Sequence, residues 1–180
     1  MESSDKYQGQ RPDMILLDDF ADPPERFAIT RRIEIDAAHR VPHHRSKCFN
    51  VHGHRYVIEA KCAGECIKKG EQTGMVMDFG FLKECMMNTI HRHCDHGIIL
   101  WENDPLYQQL LDSAEGFTAT GFWKIRVIDS VPTAENLARV WYNELCEEIR
   151  RFFKDREDTA PVLMDVTVWE TPNCKAIYPW

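Results

Sequence analysis

The chain has 180 residues, enough for one domain with a real core, and 43% hydrophobic with 28% charged residues is ordinary for a globular protein. A formal net charge of −7 leaves no basic excess for nucleic acid, and no apolar run approaches the ~18–20 residues that span a bilayer. The opening Met-Glu-Ser-Ser-Asp-Lys lacks the basic-then-apolar order of a signal peptide, so a cytoplasmic location is expected, and seven irregularly spaced cysteines fit reduced thiols rather than a disulfide framework.

Residues 1–25 are polar, with Pro12 and the pair Pro23-Pro24, and are expected to form a tail ahead of a single domain over 26–180. A first strand is predicted from Phe27 to Ala38, where Phe27, Ile29, Ile33 and Ile35 alternate with polar partners. A loop with Pro42, His43, His44 and Arg45 leads to a second strand, Val51 to Cys62, in which His52, His54, Tyr56, Ile58 and Ala60 share a face. Gly64 to Gly74 reads as a turn region. Asp78 is a suitable cap for a helix from Phe79 to His93 with Phe79, Leu82, Met86 and Ile90 as its apolar stripe. Trp101 to Phe122 suggests a short helix around Pro105–Leu111 and then a loop. Trp123 to Asp129 reads as a third strand, and Pro132-Thr133 opens a long helix with Leu137, Val140, Trp141, Leu145, Ile149 and Phe152 on one side. The chain closes with a strand, Val162 to Glu170, a turn at Pro172-Asn173 and a short segment, Lys175 to Tyr178. Strands and helices in this order, without regular alternation, predict an α+β fold with an antiparallel sheet and both main helices on one face.

His52 and His54 lie one residue apart on a predicted strand, so both imidazoles project from the same side, with Gly53 leaving room on the other. Such a pair is also common as a half-exposed feature of a strand. His39 closes the preceding strand, and hairpin pairing would bring it beside them. Three His with a fourth position left for water or substrate is a catalytic zinc pattern, although His39 is equally readable as a strand end. His91 and His93 sit on a helix, where residues two apart point about 200° apart and cannot grip one ion. Cys62 and Cys66 have ligand-like spacing but no second pair to complete a site.

Cys48 precedes His52 by four residues, where a positive local field would acidify the thiol for acid–base work; a buried packing cysteine is the plainer reading. In Asp95-His96 a carboxylate stands next to an imidazole, which suits a proton relay or a solvated helix end. Glu170 emerges on the face of Val166 and Val168, where it suits a guanidine-like edge or is an ordinary strand-end charge. Thr133 and Glu135 have the simple role of helix N-terminal residues.

Taken together, Asp36-Ala-Ala-His39-Arg, Cys48-x-x-x-His52-Gly-His54-x-Tyr56, Gly74-Met-Val-Met-Asp78-Phe, Asp95-His96, Pro132-Thr-Ala-Glu135-Asn136 and Trp169-Glu170-Thr171 resemble, in order, the 6-pyruvoyltetrahydropterin synthase superfamily. The short spacing from Cys48 to His52 looks like its bacterial branch, the 6-carboxy-5,6,7,8-tetrahydropterin synthases of queuosine biosynthesis. The resemblance implies the tunnelling fold (T-fold), in which sheets assemble into an oligomeric barrel, as a homohexamer built from two trimers with active sites between subunits. It implies a zinc-dependent lyase acting on 7,8-dihydroneopterin triphosphate, with release of triphosphate and acetaldehyde. His39, His52 and His54 match the metal ligands, Cys48 the proton acceptor, Asp95 and His96 the relay, and Glu170 with Thr133 and Glu135 the pterin-binding residues. The alternatives are a pyruvoyl enzyme, which makes the same elimination without carbon–carbon cleavage, and a non-enzymatic zinc- or pterin-binding relative. Arg40, Arg45 and Lys47 are candidates for holding the triphosphate. The N-terminal tail and a longer stretch between His96 and Pro132, rich in Trp101, Tyr107, Phe117, Phe122 and Trp123, depart from the family pattern.

Overall fold

A computed structural model describes residues 25–114, 123–154 and 160–180. Residues 1–24 of the expected tail over 1–25, together with Phe117 and Phe122, lie outside the described residues. The first strand, β1 (Phe27–His39), pairs antiparallel with β2 (His52–Gly64) along its whole length, in a register that sets His39 opposite His52. Alternation decides which side is covered: Ile33, Ile35, Ala37 and His39 of β1 and Tyr56, Ile58, Ala60 and Cys62 of β2 are buried, while their neighbours face outward.

The helical run after Asp78 is one path in three parts: α1 (Phe79–Met86), a π-helical turn (Met87–His91) and α2 (Arg92–Cys94). The Asp78 carboxylate caps it by accepting from the Gly80 N–H at 2.5 Å, a contact worth about 1 kcal/mol. Its buried stripe is Leu82, Cys85, Met86, Ile90 and Cys94. Phe79, expected in that stripe, is 51% exposed because it occupies the first turn, ahead of the face that meets the sheet.

The predicted antiparallel sheet is corrected to a mixed one of six strands, in the order β4-β3-β1-β2-β5-β6. The source of the difference is β3 (Gly97–Trp101), which the sequence did not announce. It runs parallel to β1 and to β4 (Ile125–Ile128), between which it lies. Ile98, Ile99 and Leu100 are all buried, so the strand is apolar on both faces and carries no period-2 signal. Between these strands α3 (Pro105–Ala114) extends the expected short helix.

The long helix α4 (Ala134–Phe153) buries Leu137, Ala138, Trp141, Leu145, Ile149 and Phe153 at three- and four-residue steps. It packs on β5 (Val162–Thr171) and β6 (Cys174–Tyr178), which form an antiparallel hairpin, and α1 packs beside it against β1. Both main helices therefore cover one face, as expected. Arg40 grips Asp104 through two hydrogen bonds of 2.8 Å each, and its guanidinium lies 5.1 Å from the Phe49 ring centroid. The Asp104 side chain is fully buried, so removing Arg40 would strand a charge at a cost of about 3–5 kcal/mol. Arg40 thereby ties the stretch before α3 to the turn that carries Cys48.

Candidate metal centre

The pairing of β1 with β2 delivers three imidazoles to one point. His39 faces His52 across the ladder, and His54 lies two residues farther along on the same side. The ring centroids stand 4.5 Å (39–52), 5.2 Å (39–54) and 5.0 Å (52–54) apart, and one nitrogen from each ring lies within 4.8 Å of the others. A Cβ on Gly53, between two of them, would stand 3.3 Å from the Ala37 carbonyl oxygen, so the close approach of the strands favours glycine there.

Backbone carbonyls fix the tautomers. His39 Nδ1 donates to the Pro132 carbonyl at 2.6 Å and His52 Nδ1 to the Asn50 carbonyl at 2.8 Å, since a carbonyl can only accept. That leaves the Nε2 lone pairs for the centre. His39 Nε2 and His54 Nε2 are buried without any hydrogen-bond partner. Two orphaned imidazole nitrogens beside a third are what a metal ion would satisfy, and the all-imidazole set suits a borderline-soft divalent cation. Burial, with smaller repulsion from neighbouring imidazoles, holds His39 and His54 below the ordinary histidine value against the pull of Glu170 and, for His39, the larger pull of the Pro132 carbonyl, which favours the neutral form that can take a metal.

A pH dependence follows for metal-free protein. The unfolded chain takes up protons on these histidines as pH falls through about 6.5, while the folded chain resists, so stability is full above that value and lost below it. Melting of chelator-treated protein should show a Tm that drops between pH 7.5 and 5.5, and His39→Gln should flatten the slope. An equal slope in the variant would contradict the assignment.

The Glu170 Oε1 atom sits at the mouth of the triad, 3.4 Å from His39 Nε2 and 3.9 Å from His54 Nε2. Glu170 also stands between two clefts. The smaller, about 260 Å³, is lined by His39, Cys48, Thr133, Glu135 and Glu170 among others. The larger, about 670 Å³, opens over His54, Arg55, Trp169 and Pro172. Cys48 lies in a one-turn 3-10 helix (Lys47–Phe49) and is half-buried. Thr133 is the N-cap of α4, accepting from the Asn136 N–H, and Glu135 is in that helix's first turn.

The fold thus brings His39, His52, His54, Cys48, Thr133, Glu135 and Glu170 to one neighbourhood. It does not bring Asp95 and His96 there: they line neither cleft. Asp95 accepts from the Asp36 N–H at 3.0 Å and from His96 Nδ1 at 2.8 Å, beside the outward-facing Asp36–Arg55 pair. Of the suggested triphosphate ligands, Arg40 is committed to Asp104. The small cleft instead presents His44 and Lys175. Neither was singled out, since a loop imidazole and an exposed strand lysine carry no spacing signal; only the β5–β6 hairpin return places Lys175 beside Glu170.

Residues 28–179 match the family model described as 6-pyruvoyl tetrahydropterin synthase, and the chain belongs to that family. Within it, the chain is 37% identical over 145 residues to the 6-carboxy-5,6,7,8-tetrahydropterin synthase of Rickettsia bellii, covering 81% of this chain and 94% of the relative. It is therefore homologous to lyases of the 6-carboxytetrahydropterin synthase type. The fold is shared with an uncharacterized protein of Wolinella succinogenes (TM-score 0.65, 21% identity, 85% of this chain and 97% of the other). It is also shared with the Plasmodium vivax 6-pyruvoyl tetrahydropterin synthase (TM-score 0.59, 21% identity, 85% and 96%).

Proposed function

We propose that the chain is a zinc-dependent lyase that converts 7,8-dihydroneopterin triphosphate to 6-carboxy-5,6,7,8-tetrahydropterin, releasing triphosphate and acetaldehyde, on the route to queuosine-type 7-deazapurines. The observation that carries this reading is the convergence of three imidazoles, two with orphaned nitrogens, beside a carboxylate and a half-buried thiol. The homology to 6-carboxytetrahydropterin synthases supports the choice of product. Zinc held by His39, His52 and His54 would supply Lewis-acid charge to the side-chain oxygens of the substrate.

The remaining roles fall to the chain itself. Glu170 accepts two hydrogen bonds from the amino-pyrimidine edge of the pterin, and Thr133 and Glu135 line the same cleft to orient the ring. Cys48 accepts the proton made acidic at the side chain. His96, oriented by Asp95, is the second proton-transfer group. Because that dyad lies apart from the triad within one chain, a neighbouring copy supplies it in a cytoplasmic homohexamer, a dimer of trimers whose sheets close into a barrel.

Incubation with 7,8-dihydroneopterin triphosphate and mass spectrometry of the products tests the reaction. A pyruvoyl product without acetaldehyde would replace the carboxy reading with its runner-up. Glu170→Gln is expected to weaken pterin binding by about 1.5–3 kcal/mol with zinc content unchanged. Unaltered affinity by calorimetry would return Glu170 to an ordinary strand-end charge.

A further inference from the structure

Asp95 has a third partner that the relay as described does not use. His91 Nε2 lies 3.6 Å from Asp95 Oδ2, the same oxygen that takes the His96 Nδ1 hydrogen bond at 2.8 Å. His91 ends the π-helical turn, and the Asp95 N–H donates to its carbonyl at 3.0 Å, so imidazole and carboxylate stand one helical turn apart on the same side. A π-turn changes the phase of a helix and so re-aims the side chains after it. The dyad is held firmly as well. His96 has φ +54, the one positive value for a non-glycine residue among the described residues, and its N–H donates to the Asp36 carbonyl at 2.7 Å. Such a conformation is strained for a residue with a Cβ and persists only where its surroundings enforce it.

We propose that His91 is a positioning residue of the relay, sharing the Asp95 carboxylate oxygen with His96 and so dividing the support that oxygen gives to either imidazole. This rests on the reading of His96 as a proton-transfer group. The physical basis is competition. One carboxylate oxygen supports whichever imidazole is protonated, so the first proton is favoured and the second is opposed by the first. Burial opposes the charge on Asp95, but the Asp36 N–H, His96 and His91 together hold its carboxyl below the ordinary range. The other charged groups at this point are the paired Asp36 and Arg55 on β1 and β2, and Lys124, whose ammonium donates to the Asp95 carbonyl. Arg92 and His93, on the same helical path, line a groove against α4 instead.

The test follows the His96 imidazole by NMR in zinc-loaded, 13C-histidine-labelled full-length protein, with the signal assigned by its loss in His96→Gln. In His91→Gln and His91→Phe the His96 pKa should rise by about 0.5–1 unit. In an Asp95→Asn background the same changes should leave it unmoved, because there is no carboxylate left to share. Two variants guard against one failing to fold, and the Asp95→Asn background separates sharing of the carboxylate from a general disturbance of the turn. An unmoved His96 in both variants, or an equal shift in the Asp95→Asn background, overturns the proposal. The acid limb of the pH–turnover profile should move with His96. If His96 moves and the profile does not, the shared carboxylate stands and the assignment of His96 to the reaction falls.

Discussion

Replacing Cys48 by Ala is expected to lower turnover by about 10²–10⁴, the usual worth of a positioned acid–base group, with zinc and pterin still bound. The thiol lines the cleft with His39 and Glu170, but on the proposed reading ligation would fall to the three imidazoles and ring anchoring to Glu170 and its neighbours. Cys48→Ser should fare little better, because a hydroxyl is much less acidic than a thiol. The other cysteines provide the contrast. Burial pushes the Cys62 thiol up to about 12 and the Cys85 and Cys94 thiols up to about 11, which leaves them inert. Cys85→Ala should therefore retain turnover, and so should Cys146→Ala, because Cys146 lies on α4 and does not line the cleft. A thiol alkylator should inactivate the enzyme, and substrate should protect it; since exposed Cys174 lines the same cleft, that experiment needs a Cys174→Ser background. A Cys48→Ala protein with normal rate and products would make the cysteine a packing residue.

The second large effect is metal loss. Purified protein should carry about one zinc per chain, and His52→Ala should bring that close to zero, with turnover, because two imidazoles are too few to hold the ion against water. His93→Ala is the control: that imidazole lines the groove on the far side of the helical path and should leave zinc content unchanged. Metal analysis of the two variants decides it, and equal loss from both would sink the triad.

Sequence alternation was informative wherever one side of an element is covered. His52, His54 and Tyr56 share a face because β2 buries only that face, and His39 meets them because the ladder has no slip over its length. The cap at Asp78 and the start of α4 at Thr133 were legible for a local reason, since a side-chain oxygen answers a free N–H within three residues. What was hidden is non-local. β3 is buried on both sides and finds its partners only after the chain crosses over, so neither its period nor its parallel pairing appears in the residues themselves. The π-turn has no composition signature. The separation of Asp95-His96 from the triad depends on where each group meets β1: the His39 side chain points under the helices, whereas the dyad is held by the backbone N–H and carbonyl of Asp36, along the edge that faces β3.

The register of β1 and β2 has one more consequence. His39 and His52 are the last paired residues before the loop of residues 40–51, so an ion bridging them is a cross-link at the base of that loop. The ladder already closes that loop, so an ion there would act by holding its base against fraying, and the residues it steadies include Cys48. An ion held there would thus be mechanically joined to the Cys48 thiol without the thiol being a ligand. Chelation would then do more than empty a coordination shell: it would loosen the strap on which the Cys48 sulfur rides.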